Sequence, residues 1–297
     1  MNRNILMTMN NALIDPSSQT RPLSPAFQSE AEAILRILKK EFSDFTGYAS
    51  ASIHRRMFQF MVTERISSAK ELRERIFHNS SYAEKLCRAL TVNFTELFRD
   101  PSFFRALKEK VFPYLATYPS IKIWHAGCST GEEVFSLAIL LHETGLLNKT
   151  NIYATDCNEE VLEKAASGIM PVNRIQNSTG RYTESGGNYA LANYYSSCYN
   201  KIIFHDFLKE RIHFFKHNLV TDESMQEFNL VLCRNVLIYF NPELQSRVLT
   251  LCLNSLTNLG YLGTGIRENV HLVSAGRNLR KIDSDNKIYR KIIMSDM

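Results

Sequence analysis

Trp124-His125-Ala126-Gly127-Cys128-Ser129-Thr130-Gly131-Glu132-Glu133 is the stretch that decides the fold. It continues Ile121-Lys122-Ile123, so a short β-type run feeds directly into it. Two glycines then permit a tight turn and close backbone approach, and a helix is predicted over 132–142. Strand, glycine turn and helix, in that order, can hold a nucleotide-like ligand against the backbone of the turn. The stretch has neither the G-x-G-x-x-G spacing of dinucleotide folds nor the lysine of a P-loop. Two carboxylates at the helix start repel phosphate and suit a cationic or ribose-bearing ligand. They also have a plainer reading, as the complement of the helix dipole.

Downstream, the rhythm repeats. Asn151-Ile152-Tyr153-Ala154-Thr155 is the next strand, with a helix over 159–167 behind it. Strand candidates follow at 211–216 and 228–233. A helix over 243–256 comes next, with Pro242 just ahead of it, where proline is tolerated. Strands alternating with helices predict a parallel sheet with right-handed crossovers. Residues 279–282 and 287–290 flank Asp283-Ser284-Asp285-Asn286 and read as an antiparallel hairpin added to that sheet. Residues 172–207, rich in Asn, Tyr, Gly and Ser, break the rhythm and read as an insertion, either a long loop or a small appended sheet.

Upstream, residues 1–25 have no period and read as a mobile tail. From Ser29 to about Phe98 the pattern is helical. Ala31, Ile34, Leu35 and Leu38 form one stripe, and Gly47 marks a break. A second helix carries Ile53, Met57, Phe60 and Met61, with Ser50 or Ser52 available as its cap. Shorter helical runs follow at 70–77 and 82–90. Phe103, Phe104, Leu107, Val111 and Phe112 mark a connector helix over 102–115, interrupted near Pro113. The organisation expected is a tail over 1–25, a helical domain over 26–100, a connector over 101–118 and an α/β domain over 119–297, with 172–207 inserted in it.

Composition narrows the function classes. The 297 residues are 44% hydrophobic, which excludes global disorder and allows one large domain or two smaller ones. A net charge of +5 helps approach to an acidic partner but is too small to argue for nucleic acid. The six cysteines include no C-x-x-C pair, so reduced thiols in a cytosolic protein are a better reading than zinc or a disulfide framework. No apolar run reaches about eighteen residues, so no membrane span is expected. The N-terminus lacks a basic stretch followed by an apolar run, so no secretory signal is expected either.

Other positions carry candidate chemistry. Asp156, at the end of the second strand, can accept both hydroxyls of a ribose or cap the helix that follows. Arg234, Asn235 and Tyr239 stand at the carboxyl end of the 228–233 strand, where open α/β sheets bind ligands. Tyr239 can equally be a packed aromatic. Asn93-Phe94-Thr95-Glu96-Leu97-Phe98-Arg99-Asp100 sets polar residues among aromatics, with caps and a surface salt bridge as the plain reading. His213 and His217 are four apart in a strand-like context, and a metal pair is not expected.

Taken together, these segments resemble the chemotaxis receptor methyltransferases, the CheR family, in order from about residue 30 to 293. The most specific pieces are N-F-T-E-L-F-R at 93–99, C-S-T-G-E-E at 128–133 and C-R-N-V-L-I-Y-F at 233–240. The resemblance implies an α/β fold: a Rossmann-like S-adenosylmethionine methyltransferase domain with a small β-subdomain insertion, preceded by an all-helical N-terminal domain. It implies cofactor contacts from Asn93, Thr95 and Arg99, from Gly127, Glu133 and Asp156, and from Asn218, Leu219, Arg234 and Asn235. Arg99 and Tyr239 fall near the transferred methyl group. The helix carrying Arg55 and Arg56 is implied to face acidic receptor helices. Two departures stand out: Leu97-Phe98 replaces a Phe pair, and Gly263-Thr264-Gly265-Ile266-Arg267-Glu268 lacks the family's Ser-Glu pair.

The implied reaction is O-methylation of glutamate side chains on the cytoplasmic domains of methyl-accepting chemotaxis receptors, with no nucleic-acid partner, no metal and no membrane insertion. The protein is expected in the cytoplasm, with recruitment to membrane receptors open. The alternative is a signalling adaptor that binds S-adenosylmethionine or a receptor without catalysis. A small-molecule or nucleic-acid methyltransferase is a further rival, though Asn241-Pro242 is followed by Glu243 rather than an aromatic. A nicotinamide dehydrogenase is disfavoured by the missing glycine fingerprint.

Overall fold

The computed structural model describes residues 24–42, 44–91, 95–268, 270 and 279–292. All but the last two residues of the expected tail lie outside this set. The first helix, α1 (Pro25–Glu41), starts four residues before the predicted Ser29. Ser24 caps it by accepting the Phe27 N–H at 3.2 Å, and Pro25 supplies a first turn that needs no donor. Then come α2 (Ser50–Thr63), α3 (Ala69–His78) and α4 (Ser80–Leu90). These helices close on a shared apolar core that includes Ile34, Leu38, Ile53, Met57, Leu72 and Leu86. Asn79 ends α3 and caps α4, its side chain accepting the Tyr82 N–H at 3.1 Å. Neither Ser50 nor Ser52 caps α2. Ala49 takes the cap position, and its N–H donates to the Tyr239 carbonyl at 2.8 Å. The start of that helix is therefore set by a segment nearly two hundred residues away.

The expected connector is two helices, α5 (Pro101–Lys110) and α6 (Phe112–Leu115). Pro113 lies in the first turn of α6, where its missing N–H costs nothing, so it restarts the helix.

The α/β domain holds β1 (Ile121–Ala126), α7 (Glu132–Glu143), β2 (Thr150–Asp156), α8 (Glu159–Ser167), β3 (Ile169–Pro171), α9 (Val172–Gln176) and α10 (Ser178–Glu184). It continues with β4 (Tyr195–Cys198), β5 (Lys201–Phe204), α11 (Asp206–Lys209), β6 (Ile212–Lys216), β7 (Phe228–Cys233) and α12 (Pro242–Asn254). It ends with β8 (Leu256–Thr264), β9 (Leu279–Asp283) and β10 (Ile288–Lys291). The main sheet has the order β6-β2-β1-β7-β8-β10-β9. Strands β6 to β8 are parallel, and the expected hairpin of β9 and β10 is added antiparallel. From β1 the chain winds out through β2 to β6, then returns to β7 and β8 on the other side. The strand order reverses between β1 and β7, which is where such sheets open a crevice at their carboxyl ends.

Two expectations need correction. The helix expected over 243–256 stops at Asn254, and Leu256–Thr264 is a nine-residue strand. Glycines at 260 and 263 and a register shift against β7 hid its alternation. The insertion begins at Ile169, before residue 172, because β3 pairs with β5 in a separate sheet of order β3-β5-β4. Its first half is helical, in α9 and α10.

The sheet core is closely packed. Trp124 is fully buried, stacks on Phe228 at 5.6 Å between ring centres and donates its indole N–H to Thr155 Oγ1 at 2.9 Å. At Gly263 an added Cβ would come 2.8 Å from both Leu232 Cδ2 and Phe103 Cζ. Gly263→Ala should therefore cost about 1–3 kcal/mol through overpacking, read as a lower urea midpoint at unchanged slope. An unchanged midpoint would mean that the contact between α5 and the sheet is loose.

Candidate functional site

A crevice lies where the helical domain meets the carboxyl edge of the sheet, between the ends of β1 and β7. Thr95 and Arg99 border it from the segment before α5, and Gly127 and Glu133 from the turn after β1. Asp156, Asn218 and Leu219 border it from the ends of β2 and β6, and Arg234, Asn235 and Tyr239 from the end of β7. Asn93 lies outside the described residues. Every described residue assigned from sequence to the cofactor or the methyl group thus borders one cavity.

The glycine turn and Asp156 are bonded to each other. Gly127 and Cys128 both donate their N–H groups to the Thr155 carbonyl at 2.8 Å. Gly127 has φ +78°, and a Cβ there would come 2.6 Å from Val236 Cγ2, so glycine is required on two counts. The Ser129 N–H donates to Asp156 Oδ2 at 2.9 Å, and the Asn158 N–H donates to Oδ1 at 3.0 Å. Asp156 is not the helix cap. Asn158 caps α8 by accepting the Glu160 N–H at 3.0 Å. Burial raises the Asp156 pKa, against the pull of the Asn158 and Ser129 N–H groups. Its carboxylate keeps lone pairs for a diol.

The adjacent glutamates have separate tasks. Glu132 is fully buried, pairs with Arg174 of the insertion and accepts Thr130 Oγ1 at 2.6 Å. Glu133 turns toward the crevice. Arg234 donates from Nη1 to Glu133 Oε2 at 2.6 Å and from Nη2 to Asp100 Oδ2 at 2.7 Å. Its guanidinium lies 3.8 Å from the Phe103 ring centre. Arg234 therefore acts on the site chiefly through the carboxylate it holds. Burial raises the Glu133 pKa, and the Arg234 and Arg99 charges oppose that rise. His125 Nε2 stands 3.3 Å from Glu133 Oε1. Burial, with Arg234 adding to it, drives the His125 pKa down to about 3, so the ring is neutral at pH 7.

The segment after β7 is shaped by Glu268. Its carboxylate accepts the N–H groups of Asn235 at 3.1 Å, Leu237 at 2.7 Å, Ile238 at 3.3 Å and Gly265 at 2.5 Å. These bonds hold Asn235 at φ +59° and deliver Tyr239 to the crevice. Tyr239 is half-buried, and burial raises its pKa against the charges of Arg56 and Arg99, so it remains a donor. The Arg56 guanidinium sits 5.4 Å from the centre of its ring and donates to the Thr91 carbonyl at 3.0 Å. The arginine pair is thereby split: Arg55 is exposed, and Arg56 turns inward to the site.

Sequence reasoning missed His125, Asp100 and Glu268 as parts of this site. His125 and Asp100 sat inside quoted motifs without a role. Glu268 stood in the stretch noted for departing from the family, and an acid just beyond a glycine pair was its signal. The histidines four apart are separated: His213 Nε2 lies 3.2 Å from Asn151 Oδ1, and His217 Nε2 lies 3.0 Å from the Glu223 carbonyl. As built, the crevice can take a ligand with adjacent hydroxyls at one end and a cation at the other, with two guanidinium groups and a phenol alongside.

Replacing Glu268 with Gln sets an NH₂ group against backbone donors. It should lower unfolding stability by at least about 2 kcal/mol, measured by thermal or urea denaturation. For His125 the folded pKa lies below the unfolded value of about 6.5, so on acidification the unfolded chain binds a proton that the native state refuses. Its stability contribution is intact above pH 6.5 and falls as pH drops toward 3. Between pH 7 and pH 5, wild type should lose about 2 kcal/mol more than His125→Gln. Parallel curves for the two proteins would show that the ring is not held neutral.

The model for the CheR methyltransferase SAM-binding domain matches residues 93–288. A Pseudomonas putida protein, Cher3, is 41% identical over 248 residues, covering 84% of this chain and 91% of the relative. The chemotaxis protein methyltransferase of Listeria innocua is 26% identical over 254 residues, covering 83% and 92%. Among solved structures, the N-methyltransferase NodS of Bradyrhizobium japonicum, in complex with S-adenosyl-L-homocysteine, is similar at TM-score 0.38 and 11% identity, over 66% of this chain and 88% of that one. A family match across most of the chain, on a crevice of this construction, places the protein in the CheR methyltransferase family, with a Rossmann-like catalytic domain whose cofactor is S-adenosylmethionine.

Proposed function

We propose that this protein transfers the methyl group of S-adenosylmethionine to glutamate side chains on the cytoplasmic helices of chemotaxis receptors, forming glutamyl methyl esters. The observation that carries the choice of acceptor is the pair of guanidinium groups, Arg56 and Arg99, whose charges both act on Tyr239 at the crevice. Two cations beside a phenolic donor suit an anionic oxygen nucleophile and disfavour an amine or a cationic acceptor.

The crevice also fits the cofactor. Ser129 Oγ, Glu133 Oε1 and Asn235 Oδ1 are buried polar atoms without a hydrogen-bond partner among the described residues, and all three belong to residues bordering the cavity. Such atoms are expected where a polar ligand completes the bonding. Asp156 holds the ribose hydroxyls, Glu133 the ammonium, and Asn218 and Leu219 flank the base. When bound, the cofactor supplies an electrophilic methyl group on a sulfonium.

The remaining work falls to the protein. A glutamate carboxylate has a pKa of about 4.3 and is already ionised at neutral pH, so no general base is needed. Arg99 orients the acceptor carboxylate, and Tyr239 donates a hydrogen bond that sets its angle. Alignment of this kind can contribute roughly 7–11 kcal/mol to lowering the barrier. The cations must not bind the anion more tightly than the transition state, since only differential binding raises the rate. Exposed Arg55 on α2 complements an acidic receptor helix. The protein works from the cytoplasm, and no described helix is long and apolar enough to cross a membrane.

The test is transfer of labelled methyl from S-adenosylmethionine to a receptor cytoplasmic domain, read as base-labile methanol. Arg99→Ala and Tyr239→Phe should each lower kcat at least about tenfold. Asp156→Ala should weaken cofactor binding by at least about tenfold in calorimetry. Cofactor binding without label transfer to any receptor domain would point to an adaptor, and base-stable label would exclude a carboxylate acceptor.

A further inference from the structure

His125 is on the central strand, beside Ala154 of β2 and Leu232 of β7, at the carboxyl end where the crevice opens. It is only 3% exposed. Neither Nδ1 nor Nε2 has a hydrogen-bond partner among the described residues, and neither does Glu133 Oε1, although Nε2 and Oε1 are 3.3 Å apart. The two atoms are close enough for a bond, yet neither bonds the other. Buried polar atoms are rarely left this way, and here an unsatisfied imidazole and carboxylate oxygen border one cavity. Burying a polar ring here costs desolvation that an apolar ring would avoid. A neutral imidazole offers one lone pair, and an ammonium carries three donors, enough to reach both Oε1 and a ring nitrogen beside it.

We propose that His125 is a specificity-determining residue of the cofactor crevice: its neutral ring, alongside Glu133, accepts a hydrogen bond from the α-ammonium of the amino-acid end of S-adenosylmethionine. This rests on the cofactor placement proposed above and adds a residue to it. The low pKa is consistent, because a charged imidazolium would repel the ammonium and would have no lone pair to offer. The pairing selects for the amino-acid end. A nucleoside thioether without that end leaves the histidine and the glutamate as they stand.

The experiment is calorimetric titration of the full-length protein with S-adenosylhomocysteine and with 5′-methylthioadenosine, which keeps the nucleoside and lacks the amino acid. His125→Phe should lose at least about tenfold in affinity for S-adenosylhomocysteine and less than about threefold for 5′-methylthioadenosine. His125→Gln, which retains an acceptor, should recover most of the loss. Equal losses of both ligands would overturn the proposal by showing a collapsed crevice. An unchanged S-adenosylhomocysteine affinity in His125→Phe would overturn it by showing an idle ring. Wild type binding both ligands equally would remove the ammonium contact while leaving the cofactor in place. Wild type binding neither would overturn the cofactor placement itself, a failure separate from that of His125.

Discussion

The site depends on one buried cation. Arg234 leaves the end of β7 and bonds Glu133 at the start of α7 with one nitrogen and Asp100 at the start of α5 with another. Three segments far apart in the chain therefore converge on a single guanidinium stacked on Phe103. The side chain is fully screened from solvent, so loss of either carboxylate would leave a desolvated charge, which typically costs about 3–5 kcal/mol. Arginine suits the position because its planar fork reaches two carboxylates at fixed angles, which a lysine ammonium cannot do. The same bonds take up one oxygen of Glu133 and leave the other facing the crevice.

Around that cation the two domains are stitched by backbone as well as side chains. Ala49 donates to the Tyr239 carbonyl, and Asn241 donates to the Gly47 carbonyl, both at 2.8 Å. Tyr48 meets Phe240 edge-on at 5.0 Å between ring centres. The helical domain thus closes one side of the crevice, and its Arg56 reaches the ring of Tyr239, which borders it. Glu268 works from the opposite side, collecting four N–H groups so that the strained 235–238 turn holds its shape. The insertion is tied in separately, through Arg174 to Glu132 and Arg181 to Glu96. A movement of that subdomain would be felt at the glycine turn.

Much of this was legible in the chain. The alternation of β-type runs with helical stripes placed β1, β2, β6 and β7 within a residue or two, because buried parallel strands are short apolar runs with strong turn signals. The glycine turn and Asp156 could be read because a close backbone approach demands glycine and leaves few substitutes. β8 was harder, since its glycines and its register shift broke the period. The cap of α2 was not legible, because Ala49 takes that position and no local side chain bonds the first turn.

What the sequence determined by itself was the set of elements and the motifs at their ends, since periodicity, glycine turns and prolines act over a few residues. The tertiary structure decided the division of labour among those residues. It sent Glu132 to the insertion and Glu133 to the crevice, turned Arg56 inward and left Arg55 outside, and made Glu268 the anchor of a loop thirty residues away. None of these is a local property. Each follows from which buried charge finds a partner when distant segments are packed together, and that is fixed only once the sheet order has brought the strand ends side by side.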